Sequence, residues 1–477
     1  MIGSIIVGII AAFAAVIAVR TIRFKPKAQP PVSGETVEFD RAGAVDSLAT
    51  LIRCKTVSYS DHSLEDDAEF EKLISKLPEL YPNVFRTCEF QQLPDRALLF
   101  RWPGKQTGDA AVLMAHYDVV PVSEENWEKP PFDAIIEDGV LWGRGTLDTK
   151  VTFNGVLFAA NHLIAENFQP ERDIYFAFSG GEEVNGKGAP NIVRYFEENG
   201  IRLSMVVDEG GAVVENVFPG VKAPCGLIGI AEKGMINASF RTVSNGGHAS
   251  APKPHTPVGI LAKACTEVED TPFDAHIEGP AGQMFDTLGR HSTLLYRIIF
   301  ANMWCFGWVV DLLGRMSGGE MNALVRTTVA FTQMEGSSAR NVIPPEAKMV
   351  ANMRLNPADS VESALEYLRK VVDDDTVEIT ALESFEPSPI SRTDCEGWEK
   401  VSAAVAETWP GCIVSPYLMV QCSDSRHYGR ISDKVYRFSA MDLTAQERAT
   451  IHGNNERIRL EVVHRAVEFY IRLMKKC

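Results

Sequence analysis

The sequence predicts an α/β catalytic domain, its mostly parallel sheet covered by helices. An inserted two-layer α+β lid or dimerisation domain interrupts it, and an N-terminal transmembrane helix precedes it. Three observations carry this reading. Continuous apolar runs alternate with helical stretches between residues 96 and 207, the pattern of strands buried on both faces. Between 232 and 384 the strands change to apolar–polar alternation, which suits a sheet with one open face. Residues 1–19 carry no charged side chain, and Arg20, Arg23, Lys25 and Lys27 follow.

Taken in order, the apolar stretch meets the roughly 20 residues a bilayer core requires. Its basic residues come after the apolar core, whereas a secretory signal has them before. A retained anchor is therefore expected over a cleaved signal, and the positive flank favours a cytoplasmic body. Residues 1–27 form the anchor and basic flank, and 28–38 (AQPPVSGETVE) a linker. Helices are expected near 42–52 and 61–80. Strands follow at 96–101, 110–115, 173–178 and 203–207, with helices at 151–167 and 189–199 between them. The insert, 232–384, holds alternating strands at 235–242, 347–355 and 377–382 and helices at 256–269 and 361–373. Inside it, 294–313 is apolar, with Trp304, Phe306 and Trp308, but Arg297 and Asp311 argue against a second span. It reads as a packed helix or dimer contact; an acyl-chain channel or membrane contact is the alternative. The catalytic domain comprises 39–231 and 385–477 and ends in a helix over 460–475 with an apolar stripe at helical spacing.

At 477 residues the chain exceeds one ordinary core. The net charge of -16 excludes the basic face of a nucleic-acid binder. Nine scattered cysteines with no CxxC fit reduced, mostly buried thiols.

Five segments offer metal-type ligands after strands or turns: His116-x-Asp118, Asp148, Glu182-Glu183, Asp208-Glu209 and His452. Active sites in open parallel sheets gather at the strands' carboxyl ends. Taken singly, each has an ordinary structural explanation, such as solvated charge, a turn or a helix cap; together they point to a metal centre. Mixed imidazole and carboxylate ligands suit zinc, with manganese or cobalt as alternatives. Two imidazoles and three carboxylates exceed one tetrahedral zinc but fit two metals roughly 3.5–4 Å apart with one bridging carboxylate. The doubled Glu leaves one carboxylate as general base. Asp118, two residues along the strand, shares the side of His116 and can hold its ring.

The order HxD, GRGxxDxK, EE, DEGG, GHAS and HGxNE resembles the di-zinc aminoacylase and carboxypeptidase family of metallopeptidases. Within it, LWGRGTLDTK, VVDEGG, SDSRHY, YRFS and IHGNNERI are most similar to the branch of carboxypeptidase S and N-fatty-acyl amino acid synthase/hydrolase. The resemblance implies a zinc-exopeptidase-like catalytic domain. It also implies that His116 and Asp208 bind one zinc, Glu183 and His452 the other, and that Asp148 bridges them. Glu182 would be the general base and acid, with Asp118 orienting His116. His248 would hold the oxyanion, often across a homodimer formed through the insert. Asn341 and Arg354 match binders of the substrate carboxylate, and Arg426 is a further candidate. Gly181 stands where relatives carry an acid, and the stretch from His248 to Asn341 is long. The reading is a membrane-anchored, zinc-dependent amidohydrolase or carboxypeptidase. It cleaves an amide next to a free carboxylate, in a C-terminal peptide unit or an N-acyl amino acid. The alternatives are a dedicated N-fatty-acyl amino acid hydrolase/synthase, a biosynthetic deacetylase, and an anchored binding protein with a relict site.

Overall fold

In this computed structural model, which describes residues 2–477, the N-terminal apolar run forms helix α1 (Ile2–Arg23). Its most apolar 18 residues have a mean hydropathy of 2.8, and its 22 residues span about 33 Å at helical rise, enough for a bilayer core. Residues 24–40 have no regular structure but are not a free tether. Val414 donates to the Gln29 side chain, Arg472 donates to the Glu35 carbonyl, and Val37 is buried. Helix α2 (Arg41–Ile52) begins where the Asp40 side chain accepts from the Gly43 amide. It buries Leu48, Leu51 and Ile52. Helix α3 (Asp67–Leu80) starts later than expected, because Asp66 caps it and a separate 3-10 turn occupies 62–64. A short α4 (Pro82–Thr87) follows.

The strands come next: β1 (Glu89–Leu93), β2 (Ala97–Trp102), β3 (Ala110–His116), the hairpin β4 (Ile135–Glu137) and β5 (Val140–Trp142), then helix α5 (Lys150–Ala165). After β6 (Ile174–Ser179) come α6 (Gly188–Glu198), β7 (Leu203–Val214) and β8 (Cys225–Glu232). Two strands from the end of the chain, β15 (Ile413–Met419) and β16 (Val435–Asp442), complete an eight-stranded sheet of order β1-β2-β6-β3-β7-β16-β8-β15. The sheet is mixed rather than mostly parallel. Its centre, β6-β3-β7-β16, is parallel, but β1 and β2 run antiparallel to their neighbours and β8 runs antiparallel to β16. Only Pro94–Arg96 separate β1 from β2, and so short a link permits only an antiparallel pair. Successive residues of β3 feed opposite cores. Ala111 and Leu113 join one with α5, α13 (Glu396–Thr408) and α15 (Leu460–Met474); Val112 and Met114 join another with α6.

A second, four-stranded antiparallel sheet has the order β11-β13-β9-β14, from β9 (Gly234–Val243), β11 (Thr328–Glu335), β13 (Glu346–Leu355) and β14 (Glu378–Phe385). Helices α7 (Pro257–Asp270) and α12 (Val361–Val372) cover one face and the other is open, as the alternating pattern requires. The short strands β10 (Gly247–His248) and β12 (Val342–Ile343) pair beside it. Helices α8 (Gly279–Gly289), α9 (Leu294–Ala301), α10 (Met303–Ser317) and α11 (Gly319–Val325) lie between α7 and β11 in sequence. They pack instead on β8 and β15 of the main sheet. The packed-helix expectation for 294–313 holds for one face only. Phe300 and Val310 are buried, whereas Trp304 and Trp308 are more than half exposed.

Candidate metal centre and active site

Three strands meet at one point. Strand β3 ends in His116, and β6 leads through Gly180-Gly181 into a 3-10 turn carrying Glu182 and Glu183. Strand β7 carries Asp208 and Glu209. A three-stranded sheet brings the fourth part. Strand β17 (Arg457–Arg459) pairs with β5 in the register Arg457↔Trp142. That pairing lays the His452–Glu456 segment along the turn from Gly143 to Asp148. Buried Glu456 locks the two together, accepting from the amides of Gly145 and Leu147 at 3.1 and 2.7 Å and from Arg144 at 2.7 Å. Buried Lys150 anchors the far end of the turn by donating to the carbonyls of Leu51 and Cys54.

The resulting contacts are nearly symmetric about Asp148. One oxygen, Oδ1, lies 3.0 Å from His116 Nε2; the other, Oδ2, lies 3.0 Å from His452 Nε2. Each imidazole nitrogen meets one more carboxylate. Glu209 lies 3.2 Å from His116 Nε2, and Glu183 lies 3.1 Å from His452 Nε2. Glu182 offers an oxygen within 4.8 Å of the donor atoms of His116 and Glu209.

Asp118 does two things. Its carbonyl oxygen accepts from His116 Nδ1 at 3.0 Å, with its carboxylate slightly farther at 3.4 Å. The same carboxylate accepts from the amides of Glu182 and Glu183, both at 3.2 Å. One buried side chain therefore sets the positions of the imidazole and of the glutamate pair.

The structure separates Asp208 from Glu209. Adjacent residues of a strand point to opposite faces, so only one of the two can enter the site. It is Glu209. Asp208 Oδ2 instead accepts from the Ser425 amide at 2.9 Å. Glu209, rather than the expected Asp208, thus lies beside His116. Asp424, which lies in the SDSRHY motif but is not among the residues expected in the site, is buried beside the cluster and accepts from Ser179 Oγ. The Ser423–Ser425 turn is held by Glu232, which accepts from both serine hydroxyls and the Ser423 amide. Glu232 is itself paired with Arg437 at 2.6 Å, and both side chains are 1% exposed. Arg437→Met would leave Glu232 buried and uncompensated. The expected loss is about 3–5 kcal/mol of stability, measurable as a lower urea midpoint.

The electrostatics show what the cluster lacks. Burial, opposed by His116, holds Glu182 well above the carboxylate range. Burial first, and then the charge of Asp148, pushes Glu209 up to about 8. Burial and then Asp424 push Asp208 up to about 6. Hydrogen bonds to Asp148 and Glu183 raise His452 to about 10. Glu183 Oε1 is buried without a partner. Desolvated carboxylates crowded onto two imidazoles call for added positive charge. The donor set fits two divalent cations: His116, Asp148 and Glu209 for one, His452, Asp148 and Glu183 for the other. Three protein donors each leave a position open for chemistry.

The remaining candidates fall into two groups. Arg426 donates to the Ser423 carbonyl and to Asn185, which caps the Glu182–Val184 turn, so its guanidinium borders the cluster. Arg354 donates to Sγ of Cys422, the residue before Ser423. His248 and Asn341 lie together elsewhere, on the β10–β12 pair. There Ala249 donates to the Asn341 carbonyl, and His248 is exposed with Nδ1 held by Ser250. Among the described residues, neither has a polar contact to the His116–His452 cluster.

Comparison with known proteins is consistent with this geometry. The model of Peptidase family M20/M25/M40 matches residues 112–476. An N-fatty-acyl-amino acid synthase/hydrolase PM20D1 of Xenopus tropicalis is 35% identical over 449 residues, covering 92% of this chain and 87% of its own. A probable carboxypeptidase S-like 2 of Dictyostelium discoideum is 33% identical over 436 residues, covering 90% and 84%. Among solved structures, the M20 family metallo-carboxypeptidase Sso-CP2 of Sulfolobus solfataricus superposes with a TM-score of 0.66 at 18% identity. It covers 91% of this chain and 98% of its own.

Proposed function

The chain belongs to peptidase family M20/M25/M40 and is a metallohydrolase, and from that premise we propose that it cleaves the amide of an N-acyl amino acid next to the free carboxylate. Enzymes of this family bind a pair of metal ions. We assign them as zinc, with manganese or cobalt as substitutes. His116, Asp148 and Glu209 would hold one ion, and His452, Asp148 and Glu183 the other. When bound, the pair lowers the pKa of a water and polarises the amide carbonyl. Glu182, unused as a ligand, takes the proton of the attacking water and returns it to the leaving nitrogen. Asp118 keeps both glutamates and His116 in place, and the buried shell around Asp148 keeps the bridge rigid. Arg426 and Arg354 are positioned to receive the substrate carboxylate. The observation that carries the reading is Asp148, with one oxygen on each imidazole nitrogen at 3.0 Å.

Two further assignments belong to the same proposal. Helix α1 is a retained single-pass anchor, with the basic flank Arg20–Lys27 and the body on the cytoplasmic side. His248 and Asn341, exposed in one chain, serve the site of a second copy through a homodimer of the inserted sheet. The long-chain acyl substrate is favoured over a C-terminal peptide unit by the exposed tryptophans of α10 beside the anchor. It is also favoured by the activity for which the Xenopus relative is named.

The test is a substrate panel with purified full-length protein before and after chelation. The expected result is cleavage of long-chain N-acyl amino acids, complete loss after dialysis against a strong chelator, and recovery with zinc. Activity that survives chelation would overturn the metal requirement. Turnover confined to short peptides would overturn the acyl assignment and leave the carboxypeptidase reading standing.

A further inference from the structure

We propose that the α9–α10 hairpin is a membrane-embedded platform that lies in the same bilayer leaflet as the emerging end of α1 and holds the catalytic body flush against the lipid. This rests on the reading of α1 as a retained anchor. The sequence of α10 places Trp304, Trp308, Leu312 and Met316 four residues apart, which is one stripe of a helix. All four are exposed, from 46% at Leu312 to 76% at Met316. Leu295 of α9 is exposed as well, at 69%. A soluble surface rarely leaves so continuous an apolar stripe in water. The charges of α10 do not interrupt it. Asp311 pairs with Arg315 of its own helix and with buried Arg326 of the body. The opposite face, with Phe300 and Val310, is spent on the protein core.

Contacts with α1 fix where the bilayer must lie. At the basic end of the anchor, Arg20 donates to the Ala301 carbonyl at 3.1 Å, and Asn302 donates to Thr21 at 3.2 Å. The chain beyond is strapped on. Arg290 donates to the Lys25 carbonyl and lies over the Phe24 ring, and Lys27 pairs with Asp286. These basic residues mark the headgroup level. Seven residues further into the anchor, about 10 Å at helical rise, the Phe13 ring meets the Trp304 ring edge-on at 5.6 Å. Trp304 therefore lies at the depth of the acyl chains or their boundary. Between them, α9 and α10 bend by 115° at Asn302. At 8 and 15 residues neither helix reaches across the roughly 30 Å core, and a pair so bent fits a re-entrant platform within one leaflet. The tryptophans suit the boundary zone, where an amphipathic ring is most stable. A second copy of the chain could also cover an apolar stripe, but it would have to share that space with the lipid that surrounds α1.

The test uses full-length protein in phosphatidylcholine vesicles whose acyl chains carry bromine, which quenches tryptophan on contact. Retention after an alkaline carbonate wash reports the anchor, and quenching reports the hairpin. Five of the seven tryptophans lie outside the hairpin, so the double variant Trp304→Phe/Trp308→Phe supplies the reference. Its hydrolysis of a water-soluble substrate confirms that it folds. The expected result is retained protein with quenching in the native chain and loss of that quenching in the double variant. Retained protein without this difference overturns the platform and leaves the anchor standing; a chain that dimerises through the stripe would give that result. Quenching that is present before the wash, in protein the wash removes, sustains the platform and overturns the anchor. No vesicle binding at all overturns both.

Discussion

Glu182→Gln abolishes turnover while the protein still binds its full complement of metal. Glu182 has no hydrogen-bonded imidazole partner. It lies within 4.8 Å of His116 and Glu209, and its backbone is pinned by the Asp118 carboxylate at 3.2 Å. A glutamine preserves shape and that backbone contact but cannot take a proton from water. The expected loss in kcat is at least about 10²–10⁴-fold, the range for a positioned general base, with KM little changed. Zinc content of the purified variant is the control that separates the two roles. If the variant kept near-native kcat, another group would be moving the proton. If it lost metal with its activity, Glu182 would be a ligand and the division of labour between Glu182 and Glu183 would be reversed. Asp118→Asn makes the complementary case. It disturbs both glutamate amides and the His116 ring at once, so kcat and metal affinity should fall together.

His116 and Asp148, at a strand end and a turn end, are the part of this cluster most legible in the sequence. His116 closes an all-apolar strand, and Asp148 sits among glycines; neither position has an ordinary packing role. His452 was legible only through its motif, because its place beside Asp148 depends on the β5–β17 pairing, a contact across more than 300 residues. The choice between Asp208 and Glu209 was not legible. A strand pattern that is apolar throughout does not say which face looks into the site, and shifting the phase by one residue exchanges the two. Strand direction was hidden for the same reason: buried strands read alike whichever way they run. Strand β15 went unseen because Pro416 interrupts it. The structure places it at the edge of the sheet, where the missing amide costs nothing. Asp424 and Arg437 fall inside the motifs SDSRHY and YRFS, but their roles, and that of Glu232, come only from what tertiary folding packs around them. The exposed stripe of α10 is visible in the sequence as hydrophobicity, but its place beside α1, where Phe13 meets Trp304, comes from tertiary folding.

The proposal of Glu209 in place of Asp208 gives the sharpest test of the site, because the two substitutions should behave in opposite ways. Glu209→Ala removes the carboxylate 3.2 Å from His116 Nε2 and leaves that side of the centre with one imidazole and a shared aspartate oxygen. Bound zinc should fall from two ions per chain to one. Activity should fall by roughly 10²-fold or more, since even the loss of a ligand's outer partner costs 10–100-fold. Asp208→Asn keeps an oxygen to accept from the Ser425 amide and removes one charge from the buried group it forms with Asp424 and Glu232. It should therefore hold both ions, and its stability should change by no more than about 1 kcal/mol, the scale of one hydrogen bond. Metal analysis of the two purified variants, with a urea titration of each, distinguishes the assignments. Loss of an ion in Asp208→Asn with retention of both in Glu209→Ala would restore Asp208 as the ligand. It would also require β7 to present its other face to His116.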